Sequence, residues 1–397
     1  MNAKTMKFSF LRSKTMPTKC WRFSMAKTNR RTLVLKSNLS FSRSSSPLPE
    51  NNNKHFPRNA YMMNRWYPAA LSSDIKPHSI NQGKPPYQTE ILGRSIIIFR
   101  NEEGFPQCVD GVCPHRGAPL GKGKIIGNSV SCPYHGWEFD GACGALTRIP
   151  SCASCGKMLP RVAIPSYWCE EKGGFIWLFF ENQNRMDDSK IEIPPIPHIP
   201  ELDAPDWKPV YGKFHFKAPH WTVFDNAIDM THIHYLHNSS FGDDANPVIR
   251  YDNAIWQDAH KFIQDFTIKN KPVSPLWEWT RTGDVQVRAT VFLPSTSSIQ
   301  IFLGKGVSMI TFVSTVPVNK HESVNYYALI RNFLPWKGFD KLAVNAMENI
   351  FKEDKDMVEL LKPDTTKEIS IVSIDKPQII LRNKKMRAWL ENPTMFE

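Results

Sequence analysis

The sequence predicts an α+β fold in two domains, and three observations carry that prediction. Residues 60 to 182 hold short apolar runs broken by glycine and proline turns, the mark of a small β-rich domain. A proline cluster, Ile193 to Pro209 (IPPIPHIPELDAPDWKP), then marks the crossing into a second domain. Beyond it lie more strand-length runs and one long amphipathic helical pattern over 338 to 361. The 397 residues are 41% hydrophobic and 22% charged, which suits a globular chain of that size and excludes wholesale disorder.

The first segment differs from the rest. Residues 1 to 49 hold 11 Lys and Arg, 14 Ser and Thr and no acidic residue, and Glu50 is the first carboxylate. Basic, Ser-rich and acid-poor sequence of this kind reads as an organelle transit peptide, a plastid being favoured over a mitochondrion. A secretory signal needs an apolar stretch of about 7–15 residues, and Thr32-Leu33-Val34-Leu35 is too short. Ser44 to Pro57 (SSSPLPENNNKHFP) reads as a linker, so residues 1–59 are taken as transit peptide and linker, with the fold beginning near Tyr61. Of the 50 bases, 39 remain after the leader against 38 acids, a net of +1. That neutral body argues against a nucleic-acid partner. No run of 18 apolar residues occurs, so no transmembrane anchor is expected.

In residues 60–182 the expected strands include Ser95–Arg100 and Gly174–Phe180, the latter within the most apolar stretch of the chain. Between them stand two loops, Cys113-Pro114-His115-Arg116-Gly117 and Cys132-Pro133-Tyr134-His135-Gly136-Trp137, with sixteen residues from His115 to Cys132. Each offers one Cys and one His. Thiolate and imidazole suit iron or zinc. Zinc fingers usually group Cys with Cys and His with His, whereas one of each per loop suits a two-iron cluster with a Cys pair on one iron and a His pair on the other. The glycines permit close backbone approach, so amides can hydrogen-bond the cluster sulfides.

These loops resemble the Rieske [2Fe–2S] signature, with Cys113, His115, Cys132 and His135 as cluster ligands. Respiratory and photosynthetic Rieske proteins carry an additional Cys in each loop, joined as a disulfide. The corresponding neighbours here are Ala118 and Tyr134, which resembles the oxygenase branch of lower potential. The other thiols read otherwise: Cys152 and Cys155 form a C-x-x-C in an incidental surface loop, with a regulatory disulfide as the alternative, and Cys108 and Cys169 are small buried hydrophobes.

Asn226-Ala227-Ile228-Asp229-Met230-Thr231-His232-Ile233-His234-Tyr235-Leu236-His237 places three His and one Asp within twelve residues. A non-haem Fe(II) oxygenase needs two His and one carboxylate on one face, with positions left open. Asp229, His232 and His237 match the D-x-x-H-x-x-x-x-H pattern of Rieske oxygenases, which implies His232 and His237 as iron ligands. The resemblance gives Asp229 the catalytic bridging role, hydrogen-bonding an iron-ligating His and a cluster-ligating His of a neighbouring subunit, and so implies a homotrimer. Two positions from His232, His234 would point away on a helix and reads as a supporting or surface residue.

The third ligand is expected on the long helix. Its apolar residues, Ala343, Ala346, Met347, Ile350, Met357, Val358 and Leu361, fall on one stripe, and Asp354 continues it four residues from Ile350 and from Val358. A carboxylate on a core-facing stripe is costly unless something neutralises it, and a metal does. Asp354 is therefore the mononuclear iron ligand, with Asp356 as fallback and Glu353, Lys355 and Asp356 as a solvated charge run. The further strands are Ala289–Leu293, Ser298–Phe302, Ser308–Val316 (closed by Pro317) and Asn325–Phe333.

The resemblance covers nearly all of residues 60 to 397. It implies an N-terminal Rieske β domain (60–182) followed by a helix-grip (START-like) catalytic domain (183–397) holding mononuclear iron. The implied activity is that of a Rieske non-haem iron oxygenase: O2 as co-substrate, electrons from a ferredoxin or reductase, and a small organic substrate, aromatic or tetrapyrrole. The leader points to the group of pheophorbide a oxygenase and chlorophyllide a oxygenase; chemistry similar to vanillate demethylase or choline monooxygenase stays open. Two rival classes are a Rieske electron-transfer protein, in which residues 226 to 237 are packing, and a structural zinc protein.

Overall fold

The computed structural model describes residues 60–152, 161–181, 193–238, 242–270, 283–304, 306–362, 370–371 and 374–391. Phe56–Glu397 forms one compact unit. Its first half contains ten short strands: β1 (Arg65–Leu71), β2 (Tyr87–Ile91), β3 (Arg94–Arg100), β4 (Pro106–Asp110), β5 (Lys124–Ile126), β6 (Ser129–Ser131), β7 (Glu138–Asp140), β8 (Leu146–Arg148), β9 (Trp168–Lys172) and β10 (Phe175–Phe180). A short helix, α1 (His78–Asn81), lies between β1 and β2. The strands form three antiparallel sheets, ordered β1-β10-β9, β2-β3-β4 and β5-β6-β7-β8. The expected strands at 95–100 and 174–180 are β3 and β10. All six residues of β10 are buried because it is the central strand of its sheet. Gly174, at φ +83, makes the turn into it where an added Cβ would stand 2.3 Å from the Tyr211 ring.

The second half is built on a seven-stranded antiparallel sheet, ordered β11-β17-β16-β15-β14-β13-β12. Its strands are β11 (Lys208–Phe216), β12 (Arg250–Gln257), β13 (Lys261–Asn270), β14 (Gly283–Phe292), β15 (Thr296–Gly304), β16 (Val307–Pro317) and β17 (Ser323–Arg331). The four strands expected from the sequence are β14 to β17, and Pro317 does end β16. β11, β12 and β13 were not expected. The helices are α2 (His220–Ile228), α3 (Ile233–Leu236), α4 (Lys337–Val358) and α5 (Lys376–Glu391). Among these α5 is a further addition, and α4 is the expected long helix, three residues shorter at its end.

The two halves share a core. Phe175 and Trp177 of β10 pack in one cluster with Phe312 of β16 and Tyr326 of β17. The proline-rich crossing contributes Ile196, Ile199 and Leu202 to that cluster, so its apolar residues are core. The Tyr326 hydroxyl donates to the Ala69 carbonyl at 2.8 Å, tying β17 to β1.

Met347, Phe351 and Val358 of α4 pack against Phe216, Tyr327 and Leu329 of β11 and β17. The buried stripe is Met347, Phe351, Asp354 and Val358, slightly rotated from the expected one. Met357 and Leu361, expected on it, are exposed and line a cavity. Among the described residues no helix is long and apolar enough to cross a membrane.

Candidate metal centres

The two Cys/His loops fold alike. In the first, the Cys113 amide donates to the Ala118 carbonyl and the Gly117 amide to the Cys113 carbonyl, both at 2.9 Å. In the second, Cys132 donates to Trp137 at 2.8 Å and Gly136 to Cys132 at 3.0 Å. Gly117 (φ +71) and Gly136 (φ +70) take the left-handed conformation that closes each turn. Matched turns bring like residues together: Cys113 and Cys132 are buried, and the His115 and His135 rings lie outside them, their centroids 4.7 Å apart. Trp137 stacks on His115 at 4.2 Å and Tyr134 lies against His135 at 3.9 Å.

These residues fit a cluster on two counts. Cys113 is buried beside Cys132, and the His115 and Arg116 amides face its sulfur, the donors a cluster thiolate uses. The His115 Nδ1 is buried without a hydrogen-bond partner and is available to iron. The four ligand atoms do not converge on one point as a single zinc ion would require; the one tight group of three or more among the described residues lies elsewhere.

That group is His232, His237 and Asp354, whose ligand atoms all lie within 4.8 Å of one another. α2 ends at Ile228, and a short turn leads to α3, a single helical turn with His232 at its start and His237 at its end. α4 supplies Asp354 from the opposite side. Asp354 Oδ1 is 3.5 Å from His232 Nε2 and 3.3 Å from His237 Nε2. Ligands about 2.1 Å from one ion and at right angles stand roughly 3 Å apart. Asp354 Oδ1 is buried and has no hydrogen-bond partner, which is the condition a cation would relieve. Burial holds the His232 pKa down against the pull of Asp354 and Asp229. Burial opposes charge on His237 too, but Asp354 and Glu353 outweigh it and the pKa lies above the usual value.

Asp229 sits on the outer side of His232. Its Oδ1 accepts from the Thr231 amide at 2.7 Å and the Thr231 hydroxyl at 2.6 Å, and its Oδ2 is 4.0 Å from His232 Nδ1. Asp229, Asn226 and His232 line an open cavity of about 540 Å³ with Trp221, Met357 and Leu361.

Several expectations need correction. His234 is fully buried, its Nδ1 accepting from the Asp243 amide at 3.2 Å, so it is no surface residue. Glu353 is not a solvated charge: its Oε2 is 2.8 Å from His237 Nδ1. Lys355 pairs with Glu359 at 2.7 Å and donates to the His215 carbonyl at 2.7 Å. Asp356, by contrast, is exposed, as expected of the charge run. Cys169 is only half-buried, its thiol donating to the Pro106 carbonyl at 3.2 Å. Cys152 is disulfide-bonded, whereas Cys155 and the leader lie outside the described residues.

Two family models match the chain, the Rieske [2Fe-2S] domain over residues 65–167 and the vanillate O-demethylase oxygenase C-terminal domain over residues 216–391. The chain carries the two domains of a Rieske oxygenase. Its cofactors, as a Rieske oxygenase, are the [2Fe–2S] cluster and a mononuclear iron. One relative is the chloroplastic chlorophyllide a oxygenase of Chlamydomonas reinhardtii, 31% identical over 45% of this chain and 25% of that one. Another is the methylxanthine N1-demethylase NdmA of Pseudomonas putida, 24% identical over 83% of this chain and 88% of that one. The fold is similar to that of Pseudomonas putida NdmA with caffeine, with TM-score 0.68 at 21% identity, covering 83% of this chain and 90% of that one. This Rieske oxygenase spans only 25% to 31% of the length of the chlorophyllide a oxygenases it matches.

Proposed function

We propose that this protein is a monooxygenase or dioxygenase that uses O2 and electrons from a ferredoxin or reductase to oxidise a small organic substrate. The observation that carries this reading is the convergence of His232 Nε2, His237 Nε2 and Asp354 Oδ1 on one point. Cys113, His115, Cys132 and His135 hold the cluster; His232, His237 and Asp354 hold the iron. Bound there, the cluster supplies single electrons and the Fe(II) activates O2.

The chain's own residues do the rest. His232, His237 and Asp354 would hold the ion, and the cavity that His232 lines would admit O2 and substrate beside it. Asp229 has one oxygen fixed by Thr231 and the other facing His232 at 4.0 Å, so it offers a bridge to that ring from outside. It lies in an open cavity beside the exposed Tyr235, where the cluster loops of a neighbouring subunit can reach it. The homotrimer is the assembly that would use this access. The substrate we propose is aromatic or tetrapyrrole, in line with the chlorophyllide, methylxanthine and vanillate named for the relatives. A plastid location is supported by the basic, acid-free first 49 residues and by the chloroplastic relatives.

Iron and acid-labile sulfide content of the anaerobically purified full chain tests the reading. About three irons per two sulfides are expected, falling to about two per two in His232→Ala with the visible spectrum of the cluster kept. Two irons in the wild-type chain after Fe(II) loading would reduce it to an electron carrier.

A further inference from the structure

The outer nitrogen of His237 carries information that the ligand set alone does not. We propose that Glu353 is a positioning residue for the mononuclear iron, holding His237 by its Nδ1 and fixing which ring nitrogen meets the metal. The proposal rests on the assignment of His237 as an iron ligand.

Glu353 Oε2 stands 2.8 Å from His237 Nδ1, a full hydrogen bond. The contact places a hydrogen bond on Nδ1 and leaves Nε2 facing Asp354. The ring is 2% exposed and the Glu353 side chain 26%, so the contact is largely withdrawn from water. Glu353 and Asp354 are consecutive on α4 and so project about 100° apart around the helix. One turn of α4 thereby sets a carboxylate at each nitrogen of the same imidazole: Oδ1 of Asp354 is 3.3 Å from Nε2 and Oε2 of Glu353 is 2.8 Å from Nδ1.

His232 is held differently. Its Nδ1 is buried without a hydrogen-bond partner, and the Asp229 oxygen facing it is 4.0 Å away. The two histidines are therefore unequal: His237 Nδ1 is held by a side chain of the helix that also carries Asp354, whereas no side chain stands at hydrogen-bond distance from His232 Nδ1. A carboxylate behind a ligating imidazole fixes its tautomer and raises its basicity, and losing such a partner typically lowers metal affinity on the order of 10–100-fold.

The test is Fe(II) titration of the cluster-bearing full chain after selective chelation of the mononuclear iron, read beside the electron paramagnetic resonance spectrum of the nitric oxide adduct. Glu353→Ala should weaken Fe(II) binding on the order of 10–100-fold and alter the rhombicity of that spectrum, while the visible spectrum of the cluster stays unchanged. Glu353→Gln keeps an accepting carbonyl without the charge. It should lose less affinity than Ala and still shift the spectrum, and Glu353→Asp should fall between Gln and wild type. Wild-type affinity and spectrum in Glu353→Ala would overturn the proposal; should that variant fail to assemble a cluster, the same result in Glu353→Gln would overturn it. Failure of the wild-type chain to bind a third iron is a different outcome, which removes the ligand assignment itself.

Discussion

Asp354 Oδ1 faces His237 Nε2 at 3.3 Å across the gap between α4 and α3, and neither hydrogen bond nor solvent accounts for the buried oxygen. A carboxylate buried there calls for a positive partner, which a cation shared with His237 would supply. Asp354→Asn keeps the shape and removes the charge. It should drop the iron content from about three to about two per chain, with two sulfides and the cluster spectrum retained. Undiminished iron in that variant would exclude Asp354 as a ligand.

How far the sequence discloses this site depends on distance along the chain. The Cys/His loops and the 226–237 segment are local, and spacing alone groups their residues. Asp354 was legible because a carboxylate interrupts an apolar helical stripe. Glu353 was not, because its partner His237 is remote in sequence and an acid beside two lysines has the pattern of a solvated face. The same holds for the strands. β14 to β17 have long apolar or β-branched runs, whereas β13 places Gln264 among its inward residues Phe262, Phe266 and Ile268, and this breaks the alternation that would announce it. In α5 the apolar residues are scattered around the helix, and only Pro377, Gln378 and Leu381 are buried.

The Asp229–Thr231 pair makes a second prediction. Thr231 occupies one Asp229 oxygen with both its amide and its hydroxyl, so only Oδ2 is left to face His232. Asp229→Ala should retain both metals and yet slow single-turnover reoxidation of the reduced cluster by orders of magnitude. Thr231→Val removes one of the two donors and should slow it less, on the order of tenfold, as one hydrogen bond to a charged group is worth about 1.5–3 kcal/mol. Stopped-flow spectroscopy of the cluster band decides, and rapid reoxidation in Asp229→Ala would end the bridging role.

A third concerns the joint between the halves. Gly174 turns the chain at φ +83, and an added Cβ would meet Tyr211 ring atoms at 2.3 and 2.4 Å. Gly174→Ala therefore suffers both the left-handed penalty of about 1–2 kcal/mol and displacement of a packed ring. A fall of several degrees in the unfolding midpoint is expected, measurable by calorimetry, and a neutral result would show that Tyr211 moves freely.

The last concerns acid stability. His220 opens α2, is buried, packs its ring against Tyr61 at 5.7 Å, and has its pKa held down to about 3 by burial, with Lys385 adding to the effect. The helix N-terminus disfavours a positive charge at the same place. In the unfolded chain the ring titrates near 6.5. Above that pH both states are neutral and the burial has no charge cost. Between about 6.5 and 3 the unfolded state binds a proton that the folded state refuses, so stability falls by about 1.4 kcal/mol per unit as pH drops. From pH 7.5 to pH 5 this amounts to about 2 kcal/mol. His220→Gln stays neutral throughout and should lose that much less than the wild-type chain over the same interval, read from anaerobic urea unfolding at the two pH values. Equal losses in the two proteins would mean that His220 takes up a proton without unfolding and that its pocket admits water.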